Sequence, residues 1–232
     1  MRLKPSDIGP CWDLPLSRMR SLRARNFVPH RILDIGAYRG AWSEVMWHVW
    51  PEAKFHLIEA NEECEPYLQT TGFTYDIALL SDKVESVVYH KCQTGSGEGN
   101  GLFKENSVYP FIATVKETTR LDDLFGATAP GHQPTRGSFS FIKLDCQGAE
   151  LKVIAGGVNL IREAHVVQLE TQIQDYNEGA PRMAEVIARM AELGFRIYDI
   201  VDFHLNSKNM LIQADLIFVQ ADSLLFRERP LT

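Results

Sequence analysis

The run Arg31-Ile32-Leu33-Asp34-Ile35-Gly36-Ala37-Tyr38-Arg39-Gly40 reads as a short apolar strand that ends near an acid and turns through glycines into a helix. A second apolar run, Phe55-His56-Leu57-Ile58-Glu59-Ala60-Asn61, ends in another acid at βαβ distance. This pairing commits the chain to a parallel α/β sheet. Two strand-end acids around a glycine turn point to a nucleoside-bearing cofactor at the carboxyl edge of that sheet.

The side chains of the turn narrow the cofactor. A dinucleotide fingerprint needs glycine two positions after Gly36, where the backbone must approach a pyrophosphate, and Tyr38 stands there. S-adenosylmethionine has no phosphate and carries an amino group and a sulfonium. Asp34 suits that cationic end and would repel a diphosphate. Glu59 is placed to accept hydrogen bonds from ribose hydroxyls. The competing roles are structural: a helix N-cap for Asp34 and turn geometry for Gly36 and Gly40. A nicotinamide-dependent oxidoreductase is the rival enzyme class, and the missing GxGxxG counts against it. A non-catalytic binding module that keeps the fold is the rival outside enzymes.

With 232 residues, 45% of them hydrophobic, the chain can bury the core of one domain. A net charge of -6 argues against a nucleic-acid backbone as partner. The four cysteines, Cys11, Cys64, Cys92 and Cys146, form no CxxC pair, which fits free thiols in a reducing compartment. No apolar stretch is long enough to span a bilayer, and residues 1–15 lack an apolar leader core, so a cytoplasmic protein is expected. The oligomeric state is not readable from the chain.

Along the sequence, residues 1–28 read as an arm and a basic helix over 17–26 capped by Ser17, and residues 29–222 as the α/β domain with a tail at 223–232. Helices are expected near 41–50, 62–71, 149–164 and 183–193, with strands at 75–80, 139–145, 165–170, 196–201 and 215–220. Residues 84–120 break the alternation. Two β-rich runs there flank the glycine-rich stretch 94–101, which predicts a β insertion with a loop between the third and fourth α/β strands. About seven strands of a doubly wound sheet result.

Asp145 and Glu170 close further strands, so Asp34, Glu59, Asp145 and Glu170 are expected to converge at one sheet edge, with Asp202 just beyond the sixth strand. Lys143 lies inside a strand, where an unpaired ammonium is costly, and is expected to pair with Glu150 or Glu170. Asp145 is the candidate general base or acceptor-hydroxyl partner, and Cys146 a packing residue. No metal ligands are nominated: His90, His165 and His204 share no metal-ligand spacing.

These residues resemble FkbM-type methyltransferases. The resemblance rests on Asp34-Ile35-Gly36-Ala37-Tyr38-Arg39-Gly40, Ile58-Glu59-Ala60-Asn61, Ala78-Leu79-Leu80-Ser81-Asp82 and Gly99-Asn100-Gly101-Leu102. It continues through Thr119-Arg120-Leu121-Asp122-Asp123-Leu124, the block Phe141-Ile142-Lys143-Leu144-Asp145-Cys146-Gln147-Gly148-Ala149-Glu150-Leu151, Gln168-Leu169-Glu170 and Asp215-Leu216-Ile217-Phe218-Val219. It implies a class I S-adenosylmethionine-dependent fold with seven strands, the last antiparallel, and O-methylation of a sugar, glycan or polyketide-like small molecule. Asp34, Gly36, Ala37, Tyr38 and Gly40 would then hold the methionine end, Glu59 and Ala60 the ribose, and Asp76, Ile77 and Ala78 the adenine. Asp145, Glu170 and Lys143 become the catalytic candidates, and Asn100, Gln147 and Tyr176 the acceptor contacts. Two departures stand out: Gly101 replaces a frequent serine, and Gln147 a frequent glutamate that would have added a carboxylate for a metal.

Overall fold

The computed structural model describes residues 3–93, 97–126 and 138–227. Seven strands form the central sheet: β1 Arg31–Ile35, β2 Lys54–Glu59, β3 Thr74–Ile77, β7 Phe141–Leu144, β8 Val166–Gln172, β9 Phe195–Leu205 and β10 Leu211–Gln220. Their order is β3-β2-β1-β7-β8-β10-β9. Neighbours from β3 to β8 run parallel, and β10 is antiparallel to both β8 and β9. Strands β1 and β7 are buried on both faces, which is why Ile32-Leu33 and Phe141-Ile142 read as apolar runs.

Helices cover both faces. One apolar cluster joins Leu33, Ile142 and Leu169 of the sheet to Val153 and Ile154 of α5 Glu150–Gly156 and to Val186 and Met190 of α7 Met183–Glu192. The opposite cluster gathers Phe27, Trp42 and Trp50 edge-on around Phe141, with ring centroids 5.7–6.2 Å apart. Each such aromatic pair adds about 0.5–1.5 kcal/mol beyond its burial. That second cluster takes in α1 Asp13–Ala24 and α2 Ala41–Trp47.

Several expected elements shift. The basic helix is α1 Asp13–Ala24, so Ser17 lies inside it and does not cap it. Leu16, Met19 and Leu22 form a buried stripe on its inner face, so tertiary packing sets its start; Pro15 falls in the first turn, where it is tolerated. The helix expected near 62–71 opens as a 3-10 turn and becomes α3 Glu65–Thr71. The helix expected over 149–164 breaks into α5 and α6 Val158–Glu163 at Gly156 and Gly157. A Cβ at Gly156 would overlap the Ser81 carbonyl oxygen, and one at Gly157 would crowd Leu121, so the break is where the chain presses on α4 Leu121–Phe125. The terminal strands run longer than expected, bringing His204 into β9 and Gln213 into β10.

The expected strand at 75–80 divides at Ala78. Residues 74–77 stay beside β2, the Ala78 amide donates to the Glu59 carbonyl, and β4 Leu79–Leu80 leaves to pair with β6 Phe111–Thr119. With β5 Ser86–Cys92 these strands make a second sheet, in the order β4-β6-β5.

Candidate active site

A cavity of about 670 Å³ opens at the carboxyl edge of the central sheet, within the range of small-molecule sites. One of its walls is the turn after β1. The amides of Gly36 and Ala37 both donate to the Ile58 carbonyl, at 2.9 and 3.0 Å, which ties the turn to β2. Gly36 has φ +74°, and a Cβ there would overlap the Asp145 carbonyl oxygen, so glycine is required twice over. Tyr38 is also left-handed, at φ 50°. Its amide donates to Glu59 Oε2 at 2.7 Å, while the Asn61 amide donates to Oε1 at 2.8 Å. Burial pushes the Glu59 carboxyl up, against those amides. The carboxylate is thereby fixed in orientation with lone pairs left for a ligand hydroxyl.

The floor comes from sheet register. Asp34 stands opposite Lys143, and Lys143 opposite Gln168, so β1, β7 and β8 present one polar row on one face. Lys143 does not pair with Glu150 or Glu170: its ammonium lies 3.5 Å from Asp34 Oδ1 and 3.2 Å from Asp145 Oδ2. Asp34 is fully buried, accepts from Ser43 Oγ at 2.7 Å, and is absent from the cavity lining. It is neither a helix cap nor a wall residue; it anchors Lys143 from beneath. Glu150 instead accepts from the amides of Cys146 and Gly148 at 2.7 and 3.3 Å.

Two residues after Lys143 and Gln168, Asp145 and Glu170 line the cavity, together with Asp215 of β10 and Asp202 of β9. Glu170 and Asp215 face each other across β8 and β10, and Asp215 faces Asp202 across β9. Gln147, left-handed at φ 53°, donates to Asp145 Oδ1 at 3.2 Å and to Glu170 Oε2 at 3.1 Å. Burial pushes Glu170 well up and Asp145 adds to that, whereas Lys143 holds Asp145 below the usual carboxylate range against its own burial. The two carboxyls share a hydrogen bond that favours the protonated form of Glu170 and the charged form of Asp145.

Gly36, Ala37, Tyr38, Glu59, Ala60, Ala78, Asn100, Gln147, Tyr176, Lys143, Asp145 and Glu170 therefore share one cavity. Gly40 does not reach it: at φ +84° it starts α2 and packs closely on Thr71 and Leu57. Asp76 turns to His56, with Oδ2 2.9 Å from Nε2, and Ile77 faces a smaller crevice beside Lys116. Of the three segments that the sequence offers as acceptor walls, 94–101, 128–137 and 204–210, positions 94–96 and 128–137 lie outside the described residues, and His204 of the third lines the cavity. Sequence reasoning missed Trp12, Trp42, Gln168 and Gln213 as lining residues. The alternation in β8 and β10 carried a signal, but only register tells which face meets the cavity.

Among the described lining residues there are seven acids, Glu59, Glu98, Glu105, Asp145, Glu170, Asp202 and Asp215, against the single lysine Lys143 and no arginine. No described helix is long and apolar enough to cross a membrane.

Comparisons with known proteins agree with this architecture. No curated protein matches the chain. Magnesium protoporphyrin IX methyltransferase from Synechocystis, solved with bound S-adenosylmethionine, is 12% identical and aligns over 89% of this chain and 77% of its own, with TM-score 0.50. Fibrillarin from Aeropyrum pernix, also with S-adenosylmethionine, is 12% identical over 90% of this chain and 76% of its own, with TM-score 0.49. At such identity the likeness to the Synechocystis enzyme is one of fold, the class I methyltransferase sheet. The methyltransferase FkbM domain matches residues 34–197, most of the chain from the first glycine turn into β9, and the chain belongs to that methyltransferase family.

Proposed function

We propose that the chain is an S-adenosylmethionine-dependent O-methyltransferase whose acceptor is a hydroxyl of a sugar, glycan or polyketide-like small molecule. The observation that carries the reading is the charge of the cavity, seven acids to one lysine, beside a turn that has Tyr38 where a diphosphate-binding turn needs glycine. A sulfonium cofactor is favoured there by simple Coulomb attraction, and a phosphate-bearing acceptor such as a nucleic acid is opposed. The residues present fit the group. Gly36 and Ala37 offer a close backbone wall, and Glu59 is held ready for two ribose hydroxyls.

The cofactor, when bound, supplies an electrophilic methyl on sulfur. The chain supplies everything else. Asp145, kept ionised by Lys143 at 3.2 Å, accepts the hydrogen bond and then the proton of the acceptor hydroxyl. Glu170 and Gln147 hold the Asp145 carboxylate and complete the acceptor pocket with Asn100 and Tyr176. Trp12, Trp42 and Leu102 line the same cavity and exclude water from it. Holding the two reactants in line is the larger part of such a transfer, because no strong base is needed once the oxygen is aligned.

Isothermal calorimetry with S-adenosylmethionine tests the reading directly. Saturable binding, followed by S-adenosylhomocysteine release on a panel of polyhydroxylated acceptors, is the expected result. Absence of cofactor binding by the folded wild type would overturn it.

A further inference from the structure

We propose that Glu170, His204 and Asp215 form a divalent-cation site on the acceptor side of the cavity. Each residue offers one ligand atom, and these atoms all lie within 4.8 Å of one another. Ligands of a bound first-row ion sit roughly 3–4 Å apart, a contraction that rotation of the exposed His204 ring supplies. The three come from β8, β9 and β10, with Glu170 and Asp215 in direct register, so a regular sheet fixes two of them.

A second observation points to the same place. Gln168 lies two residues before Glu170 on the same strand face and is 2% exposed. Its Nε2 donates to Asp215 Oδ2 at 2.7 Å, which anchors the amide beside the cluster. Its Oε1 is buried and has no hydrogen-bond partner among the described residues. Two buried carboxylates on facing strands, with a buried carbonyl lacking a donor two residues away, are costly together, and a cation held by the carboxylates offsets that cost. Lys143 does not play that part, because its ion pairs are with Asp34 and Asp145. Glu170 and Asp215 make no ion pair with a lysine or arginine among the described residues.

The donor set names the class of ion. One imidazole and two carboxylates suit manganese, iron, cobalt or zinc better than calcium, which prefers oxygen alone. The Gln168 amide holding Asp215 and the Gln147 amide holding Glu170 are the outer supports such sites use. The cation places a positive charge where two buried carboxylates otherwise face each other across β8 and β10. Its role, chelating an acceptor hydroxyl and a neighbouring oxygen next to Asp145, rests on the methyl-transfer reading; the site itself does not.

The test uses the full chain, washed with a chelator and titrated with Mn²⁺ alone, free ion being read by electron paramagnetic resonance. Saturable uptake by the wild type with a rise in melting temperature is expected. His204→Ala and Asp215→Asn should each weaken uptake about tenfold or more and abolish the thermal shift. His204 is exposed, so its variant folds even where Asp215→Asn does not. No saturable uptake by the wild type, or uptake unchanged in the His204 variant, overturns the site. Calorimetry with S-adenosylmethionine on the same samples separates the two ideas. Cofactor binding without Mn²⁺ uptake overturns the cation site and leaves the methyl-transfer reading standing. Mn²⁺ uptake without cofactor binding supports the site and overturns that reading.

Discussion

On the β1–β2 side, the cavity wall is mostly backbone: Gly36 and Ala37 bonded to the Ile58 carbonyl, and Glu59 pinned by the amides of Tyr38 and Asn61. On the β7–β10 side it is side chains, with Asp145, Glu170, Asp202, His204 and Asp215 projecting from four strands and steadied by Lys143 and Gln147. Backbone built into a turn tolerates little change and suits a constant ligand. Side chains set on strands can be exchanged singly without moving the scaffold, which suits an acceptor that differs between relatives.

The sharpest test of this contrast is Asp145→Asn. It should leave cofactor affinity within a few-fold of wild type while turnover falls roughly 10²–10⁴-fold, the usual worth of a positioned base. Stopped-time assays of S-adenosylhomocysteine set beside calorimetry would show it, and unchanged turnover would erase the division between the sides. Next in size is Lys143→Met, which leaves Asp34 buried without its counter-ion. Urea unfolding should show a loss of about 3–5 kcal/mol, with much of it restored by adding Asp34→Asn. A double variant no more stable than the single one would mean that Lys143 does not serve Asp34.

A smaller effect tests the turn after β7. Burial raises the Glu150 carboxyl from 4.5 to about 7, with neighbouring Asp145 adding to the rise. An acid raised in the fold stabilises it while protonated; that contribution is complete below about 4.5 and disappears as pH rises through about 7. Wild type should therefore lose roughly 1–3 kcal/mol relative to Glu150→Gln between pH 4.5 and 8, read from urea midpoints at each pH. Parallel curves would place the Glu150 proton elsewhere. The smallest effect is expected at Glu59→Gln. Glutamine still accepts one amide but loses a charged acceptor, so cofactor affinity should fall about tenfold, near 1.5 kcal/mol, without loss of fold. An effect as large as that of Asp145→Asn on turnover would show that the donor side also takes part in the chemistry.

How much of this was legible in the sequence follows the same division. The glycine turn, Glu59 and the parallel order were readable because local chain geometry dictates them: Gly36 must be glycine for reasons within a few residues. Asp34 was misplaced because strand-end position does not reveal which face a side chain takes, and pairing with Lys143 drew it under the floor. Gly40 ends the turn and Asp76 lies near the end of β3, but they face α3 and His56. Gln168 and Gln213 were missed for the complementary reason. Their meeting with His204 depends on the register of β8, β10 and β9, including shifts between Leu211 and Gln213 and between Asp215 and Leu216 that no one-dimensional pattern encodes.

The step across Ala78 has a consequence for how such chains diversify. Residues 79–119 leave the main sheet at β4 and return at the end of β6, where Leu79 and Thr118 are paired side by side. Entry and exit of the whole second sheet thus share one doorway, beside the bond from the Ala78 amide to the Glu59 carbonyl. A segment with adjoining ends can be swapped, lengthened or trimmed by a single recombination event without re-threading the domain. The second sheet is a cassette laid over the cavity, and the central sheet is the fixed socket that receives it.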